Sequence, residues 1–234
     1  MERLLIIIPA YNEERAIGNV LEDISTHYPS ADVIVINDGS ADATSDVVRK
    51  CGVPVIELPH NLGIGGAMQT GYKYAREKGY NVAIQCDGDG QHRADQLESI
   101  VKPVFDGDAD MVIGSRFLGE KGYQSKLTRL VGIKFLSVLL SFLCRTKITD
   151  PTSGFRAVNS KLIEFYSNYY PEDYPEPEAV ILLHRAGFRV KEVPTLMKER
   201  ETGRSSITAI RAIYYMIKVF LAILIDMIKK IPGR

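Results

Sequence analysis

Short apolar runs, each ending in a polar motif and followed by a segment of helical spacing, constrain this chain more than any other feature. Leu4 to Ile8 is a continuous apolar run, the pattern of a strand buried on both faces. Glu13 to His27 then places Ile17, Val20, Leu21 and Ile24 on one helical face. Val33 to Ile36 is a second strand, followed by NDGS and a helix from about Ala43 to Lys50. Val53 to Glu57, Val82 to Cys86 and Met111 to Ile113 continue the series, with helices over Ala67–Lys78 and Ala94–Phe105. Such alternation predicts an α/β fold with a mostly parallel sheet flanked by helices. In sheets of this kind ligands bind beyond the carboxyl ends of the strands. The motifs PAYNEE, NDGS, HNLGIGG, CDGDGQH and GSRF all fall at those ends. Their coincidence points to a nucleotide-sized site.

The second half is less regular. Ser125 to Cys144 is a mostly apolar helix, DPTSGFRA a polar turn, and Pro171 to Pro177 a proline-rich stretch. Ala179 to Ala186 reads as helix, Arg189 to Val193 as strand, and Ile207 to Ile231 as a long final helix after the charged MKERETGRSS. The organisation expected is a catalytic domain over residues 1–206 and a C-terminal amphipathic helix over 207–234.

At 234 residues, with 29 basic and 29 acidic side chains, the chain has no net charge to make it a general polyanion binder, so nucleic acid is not an expected partner. The three cysteines, Cys51, Cys86 and Cys144, have neither the number nor the spacing of a disulfide frame or zinc site. The first apolar run is too short for a signal peptide, and no stretch offers about twenty uninterrupted apolar residues.

Asp87 and Asp89 stand one residue apart at a strand end. Paired carboxylates there suit a hard divalent cation, Mg2+ or Mn2+, which shares its oxygen ligands with substrate phosphates. Gln91 can add an amide oxygen. The plainer alternative, a solvated acidic turn, is disfavoured by the neighbouring strand-end motifs. Asp38 ends the second strand, where a doubly wound sheet often holds a ribose hydroxyl. That invites a dinucleotide-binding reading with Gly63, Gly65 and Gly66 as its phosphate loop, but the order argues against it: the first strand-to-helix turn, PAYNEE, contains no glycine. Gly63, Gly65 and Gly66 mark either a close backbone approach near a ligand or simply the start of a helix.

The motifs IIIPAYNEE, NDGS, HNLGIGGAMQTG, DGDGQH, GSRF, DPTSGFR and ER-x-x-G-x-S resemble, in this order, those of inverting family 2 glycosyltransferases. The resemblance is to the branch of dolichol-phosphate mannose synthase and other polyprenyl-phosphate glycosyltransferases, and it spans roughly residues 3–206. It implies a GT-A-type, Rossmann-like fold and transfer of a monosaccharide from a UDP- or GDP-sugar to a membrane polyprenyl phosphate. By resemblance, Pro9, Tyr11, Asn12, Glu13, Asp38, Gly66, Asp87, Gly88 and Asp89 bind the nucleotide sugar. Asp87, Asp89 and Gln91 hold the metal, and Arg116, Arg129, Arg156 and Arg200 face the phosphates. Of these, Asp89, Arg116, Arg156 and Arg200 are the expected catalytic set. Asn37 departs from the pattern, standing where the family more often has a second acid. The segment YPEPEA is another departure, and Glu176 and Glu178 read as part of a proline-stiffened loop.

A phosphate acceptor carries about 1.5 to 2 negative charges at pH 7 and needs no strong base. A glycan hydroxyl would need a carboxylate within reach, with Asp150, Glu176 and Glu178 the candidates. Two further classes of reading are therefore a transferase to a glycan hydroxyl and a non-catalytic sugar-nucleotide-binding subunit of a membrane complex.

The final helix carries Thr208, Arg211, Tyr215, Lys218, Asp226 and Lys229 in one polar stripe, with apolar residues over the rest. That pattern predicts a helix on a membrane surface, peripheral to its cytoplasmic face, with Leu127 to Leu143 beside it. A small membrane subunit, a second copy of the chain, or the protein's own core are the other surfaces it could cover.

Overall fold

The computed structural model describes residues 3–119, 127–198 and 209–229. Seven strands form one sheet: β1 (Leu4–Ala10), β2 (Asp32–Asn37), β3 (Val55–Glu57), β4 (Val82–Gln85), β5 (Met111–Ser115), β6 (Arg156–Asn159) and β7 (Val190–Pro194), in the order β3-β2-β1-β4-β6-β5-β7. Every pairing is parallel except those of β6, which runs antiparallel to both β4 and β5. The helices are α1 (Ile17–His27), α2 (Thr44–Lys50), α3 (Gly63–Glu77), α4 (Leu97–Phe105), α5 (Leu127–Cys144), α6 (Ser160–Asn168), α7 (Pro175–Ala186) and α8 (Ala209–Ile228).

β1 shows why the first apolar run becomes a central strand. All seven of its residues are buried. Side chains alternate between faces, so Leu5 and Ile7 enter the core under α3 and α6, while Leu4, Ile6 and Ile8 enter the core under α1 and α4. Each such side chain contributes about 1.5–3 kcal/mol when removed from water. Gly71 lets α3 lie down on this strand; a Cβ there would come within 2.3 Å of Ile7 Cγ2.

Two elements differ from the expected ones. DPTSGFRA is a turn only as far as Phe155, since Arg156 opens β6, which inserts between β4 and β5. Glu176 and Glu178 are not in a loop: they occupy the first turn of α7, which begins at Pro175. Proline is suited to that position because its missing N–H has no partner there in any helix. The N–H of Tyr174 donates to Glu178 Oε1 at 3.1 Å, tying the helix start down.

The glycine-rich loop is the first turn of α3. A Cβ on Gly65 would lie 2.5 Å from the carbonyl oxygens of Pro171 and Glu172, and one on Gly66 2.5 Å from Leu62 Cβ. Both glycines therefore serve close packing of the chain on itself.

Candidate active site

Three loops at the carboxyl ends of the strands are knitted together by side chains. After β1, Asn12 adopts a left-handed backbone with φ of 55°, a conformation asparagine tolerates better than most residues. Its N–H donates to Ser40 Oγ and its Oδ1 accepts from Ala41 N–H, both at 2.9 Å, joining PAYNEE to NDGS. Asn37 shapes NDGS from within, accepting from Ser40 N–H and donating to Ser45 Oγ. Asp38 is buried, and its Oδ1 accepts the N–H of Leu62 at 2.7 Å, drawing HNLG onto the same rim. Tyr11 stands exposed at the edge.

Between these loops lies a cavity of about 180 Å³ lined by Pro9, Glu13, Ile64, Asp87, Gly88, Asp89 and Glu176. Gly88 is held close to β1, where a Cβ would be 3.2 Å from Pro9 O. Asp89 Oδ1 accepts the N–H of Gln91 at 3.1 Å, and Gly90 turns the chain with φ of 78°. Asp87 N–H donates to His92 Nδ1 at 2.9 Å, and His92 Nε2 lies 3.6 Å from Asp87 Oδ2. Burial pushes the His92 imidazole down to about 4, so it is neutral at pH 7. Burial also raises the carboxyl of Glu176, against the pull of Arg156.

A larger cavity, about 360 Å³, lies where Tyr169, Tyr170, Glu178, Arg185 and Asp226 meet. It contains none of the strand-end motif residues, so topology and chemistry favour the smaller one. Glu178 belongs to this second place. Its carboxyl is raised to about 7 by burial and by Asp226.

The expected arginines are not all turned toward an open phosphate site. Arg116 directs Nε and Nη2 at Asp150, at 2.6 and 2.7 Å, and Nη2 also donates to Thr152 Oγ1. Asp150 is wholly buried and accepts from Arg116 on both oxygens, which leaves it no role as a base toward an acceptor. Its loop is held in turn by Glu192, which accepts from Thr149 N–H and Asp150 N–H. Arg156 is buried, donating to the carbonyls of Ser153, Pro151 and Glu176, while its Nη1 has no hydrogen-bond partner. The nearby Gln85 Nε2 is likewise buried without a partner, and Gln85 and Arg156 are directly opposed across β4 and β6. Arg129 lies in α5; Arg200 is outside the described residues. The segment leading to Arg200 is nevertheless anchored beside the acidic loop, because Lys198 N–H donates to Gln91 O at 2.9 Å and Met197 bridges His92.

The donor set fits a hard cation that completes its shell from a substrate. Among the described residues no three His, Cys, Asp or Glu side chains gather into a closed metal site. Asp87 and Asp89 flank the cavity, and room beside Asp87 depends on Gly154, whose missing Cβ would stand 3.2 Å from Asp87 Oδ2 and 3.0 Å from Gln85 Nε2.

Residues 5–166 match the family model "Glycosyl transferase family 2". The chain is a family 2 glycosyltransferase. This glycosyltransferase is 31% identical over 225 residues to a UDP-N-acetylglucosamine–dolichyl-phosphate N-acetylglucosaminyltransferase of Methanococcus voltae, covering 87% of the chain and 89% of the relative. It is 30% identical over 228 residues to a polyprenol monophosphomannose synthase of Mycolicibacterium smegmatis, covering 93% and 86%. Its fold matches glucosyl-3-phosphoglycerate synthase from Mycobacterium tuberculosis, solved with Mn2+, UDP and phosphoglyceric acid. The TM-score is 0.73 at 18% identity, over 99% of this chain and 81% of that one. The glycosyltransferase thus has the GT-A-like architecture that its motifs implied, with the acidic loop at the centre of the strand ends.

Residues that the sequence alone left aside also shape the site. Ile64 lines the cavity, and the buried Gln85 amide lies beside Gly154 next to Asp87. His92 was visible in the DGDGQH string, but its contact with Asp87 needed the fold. The buried alternation of β4 carried the signal for Gln85, a polar residue in a strand whose four residues are all buried.

Proposed function

We propose that this glycosyltransferase moves a monosaccharide from a UDP- or GDP-sugar to a polyprenyl phosphate at a membrane surface, with inversion and with a divalent cation held by Asp87 and Asp89. The observation that carries the lipid acceptor is the apolar surface of α5 and α8. On α5, Ile133, Leu136 and Leu140 are buried while Val131, Phe135, Val138 and Phe142 are exposed, Phe142 by 80%. On α8, Val219 and Ile223 face the core while Ile217, Leu221, Leu224 and Ile228 are exposed. Each exposed set recurs at steps of four, three and four residues, one stripe per helix.

The two helices touch: a Cβ on Gly132 would meet Met216 Sδ at 3.2 Å. Their charges are almost all basic, and the acid Asp226 turns away from solvent toward Glu178. Large apolar faces with basic flanks suit the interface of an anionic bilayer. No helix among the described residues is long and apolar enough to cross a membrane; in this reading the enzyme sits peripherally on the cytoplasmic face. In this reading α8 serves twice, with Val219 and Ile223 entering the core and the opposite, exposed face meeting lipid.

In this reading Pro9, Tyr11, Asn12, Glu13 and Asp38 hold the base and ribose. Gly66 supports that rim through its packing on Leu62. Asp87 and Asp89, with Gln91, would hold Mg2+ or Mn2+, which would supply positive charge to the departing diphosphate. The acceptor phosphate oxygen forms a bond to the anomeric carbon from the opposite face. The bond to the donor diphosphate breaks, and its electron pair leaves with the nucleotide. Arg200 and Arg129 neutralise the two phosphates, guanidinium forks suiting such oxygens. Arg156, with its Nη1 unpaired, adds positive charge beneath the site, while Arg116, neutralised by Asp150, holds the DPTSGFR turn in place.

A glycan hydroxyl is the second reading, favoured by Glu176, a carboxyl on the cavity wall whose proton affinity is raised by burial. The two are separated by supplying radiolabelled UDP-Glc, UDP-GlcNAc, UDP-Gal and GDP-Man with polyprenyl phosphate, an oligosaccharide acceptor and Mn2+. Label that passes into the organic phase from one donor supports the lipid acceptor. Label recovered only in water-soluble glycan supports the hydroxyl.

A further inference from the structure

We infer that His92 is a positioning residue that sets the Asp87 carboxylate for the cation, an inference that rests on the metal reading above. One imidazole hydrogen-bonds the backbone of Asp87 and stands beside the side chain of the same residue. Nδ1 accepts Asp87 N–H at 2.9 Å, which fixes the neutral tautomer with its proton on Nε2. Nε2 then faces Asp87 Oδ2 at 3.6 Å. The ring cannot easily turn away. Its side chain is only 3% exposed, and it stacks on Phe155 with centroids 4.8 Å apart and planes 28° from parallel. The main chain is pinned as well, through the bridge between His92 and Met197.

The consequence is directional. The Asp87 carboxylate lies against Gly154, where an absent Cβ would stand 3.2 and 3.3 Å from its two oxygens, so no side chain packs it on that side. The His92 ring, with Nε2 on the Oδ2 side, is the rigid neighbour that biases the orientation this carboxylate takes at the cavity wall. Groups that orient a metal-binding carboxylate in this way typically change metal affinity by about 10- to 100-fold when removed.

The test uses the full chain and Mn2+ as probe, titrated by electron paramagnetic resonance with UDP and, separately, with GDP present. His92→Phe keeps the stack on Phe155 and removes both ring nitrogens. His92→Asn keeps an acceptor, Oδ1, near the place of Nδ1. Hydrogen exchange of the Asp87 amide, read in the metal-free protein, reports the backbone contact directly. The expected result is loss of protection and at least about tenfold weaker Mn2+ binding in His92→Phe, with protection kept and binding within about threefold of wild type in His92→Asn. Thermal melts identify a variant that fails to fold, and the amide readout on the remaining one then decides. Equal Mn2+ affinity in wild type and His92→Phe overturns the inference, as does an unprotected Asp87 amide in the folded wild type. Failure of the wild type itself to bind Mn2+ with either nucleotide overturns the metal reading and this inference with it.

Discussion

Arg116 and Asp150 meet through two nearly parallel hydrogen bonds, Nε to Oδ2 at 2.6 Å and Nη2 to Oδ1 at 2.7 Å, with side chains 5% and 0% exposed. Removing one partner of such a pair leaves the other charge buried and uncompensated, at a cost of about 3–5 kcal/mol. Asp150→Ala is therefore expected to destabilise the protein by that amount in urea unfolding. A loss below about 1 kcal/mol would mean that the pair is open to water in solution.

Gly154 makes room beside the acidic loop. Gly154→Ala would put a methyl 3.2 Å from Asp87 Oδ2 and 3.0 Å from Gln85 Nε2. A misplacement on the order of 1 Å at a reacting centre can cost ~100-fold in rate, so kcat/KM should fall at least tenfold, on the order of half that effect in free energy. Stability should change far less than in Asp150→Ala. Wild-type kinetics in Gly154→Ala would show that the space is not used.

Glu178 couples stability to pH. Its carboxyl is raised from 4.5 to about 7 by burial, then by Asp226 and Asp173, against the Tyr174 N–H and Lys229. The folded state thus holds this proton more tightly than the unfolded chain. Its contribution to stability is fully present below pH 4.5 and is lost as pH rises through about 7. Asp226, also raised by burial, acts in the same sense. Glu178→Gln should gain stability over wild type as pH rises through that window, measured as the difference in melting temperature. A difference that stays constant across the window would contradict the raised carboxyl.

The apolar stripe on α5 should govern vesicle binding. Each phenylalanine taken out of water is worth about 1.5–3 kcal/mol, so Phe135→Ser with Phe142→Ser should weaken sedimentation with anionic vesicles by at least about tenfold. Nucleotide binding should be unchanged. Equal pelleting of this double variant and wild type would remove α5 from the membrane contact.

Local pattern and long-range pairing contributed unequally to what could be read in advance. β1 and β2 were legible because a strand buried on both faces leaves a continuous apolar run, and the acidic loop because its motif sits where such a strand must end. β6 was not: its four residues follow a turn and have no pattern of their own, and only pairing with β4 and β5 makes them a strand. The first turn of α7 was hidden by Pro175 and Pro177, which read as loop although proline is welcome at a helix start. The inward turn of Arg116 depends on Asp150, 34 residues away, a distance at which no local spacing carries information.

The most direct test of the whole account is transfer of labelled sugar to polyprenyl phosphate in vesicles, compared for wild type and Asp89→Asn, with Mn2+ and with excess EDTA. The account predicts organic-phase product from wild type with Mn2+, and loss of at least about 100-fold in EDTA and in Asp89→Asn at unchanged melting temperature, as expected when charge stabilisation of the departing group is removed. Full activity in EDTA, or in folded Asp89→Asn, would contradict it.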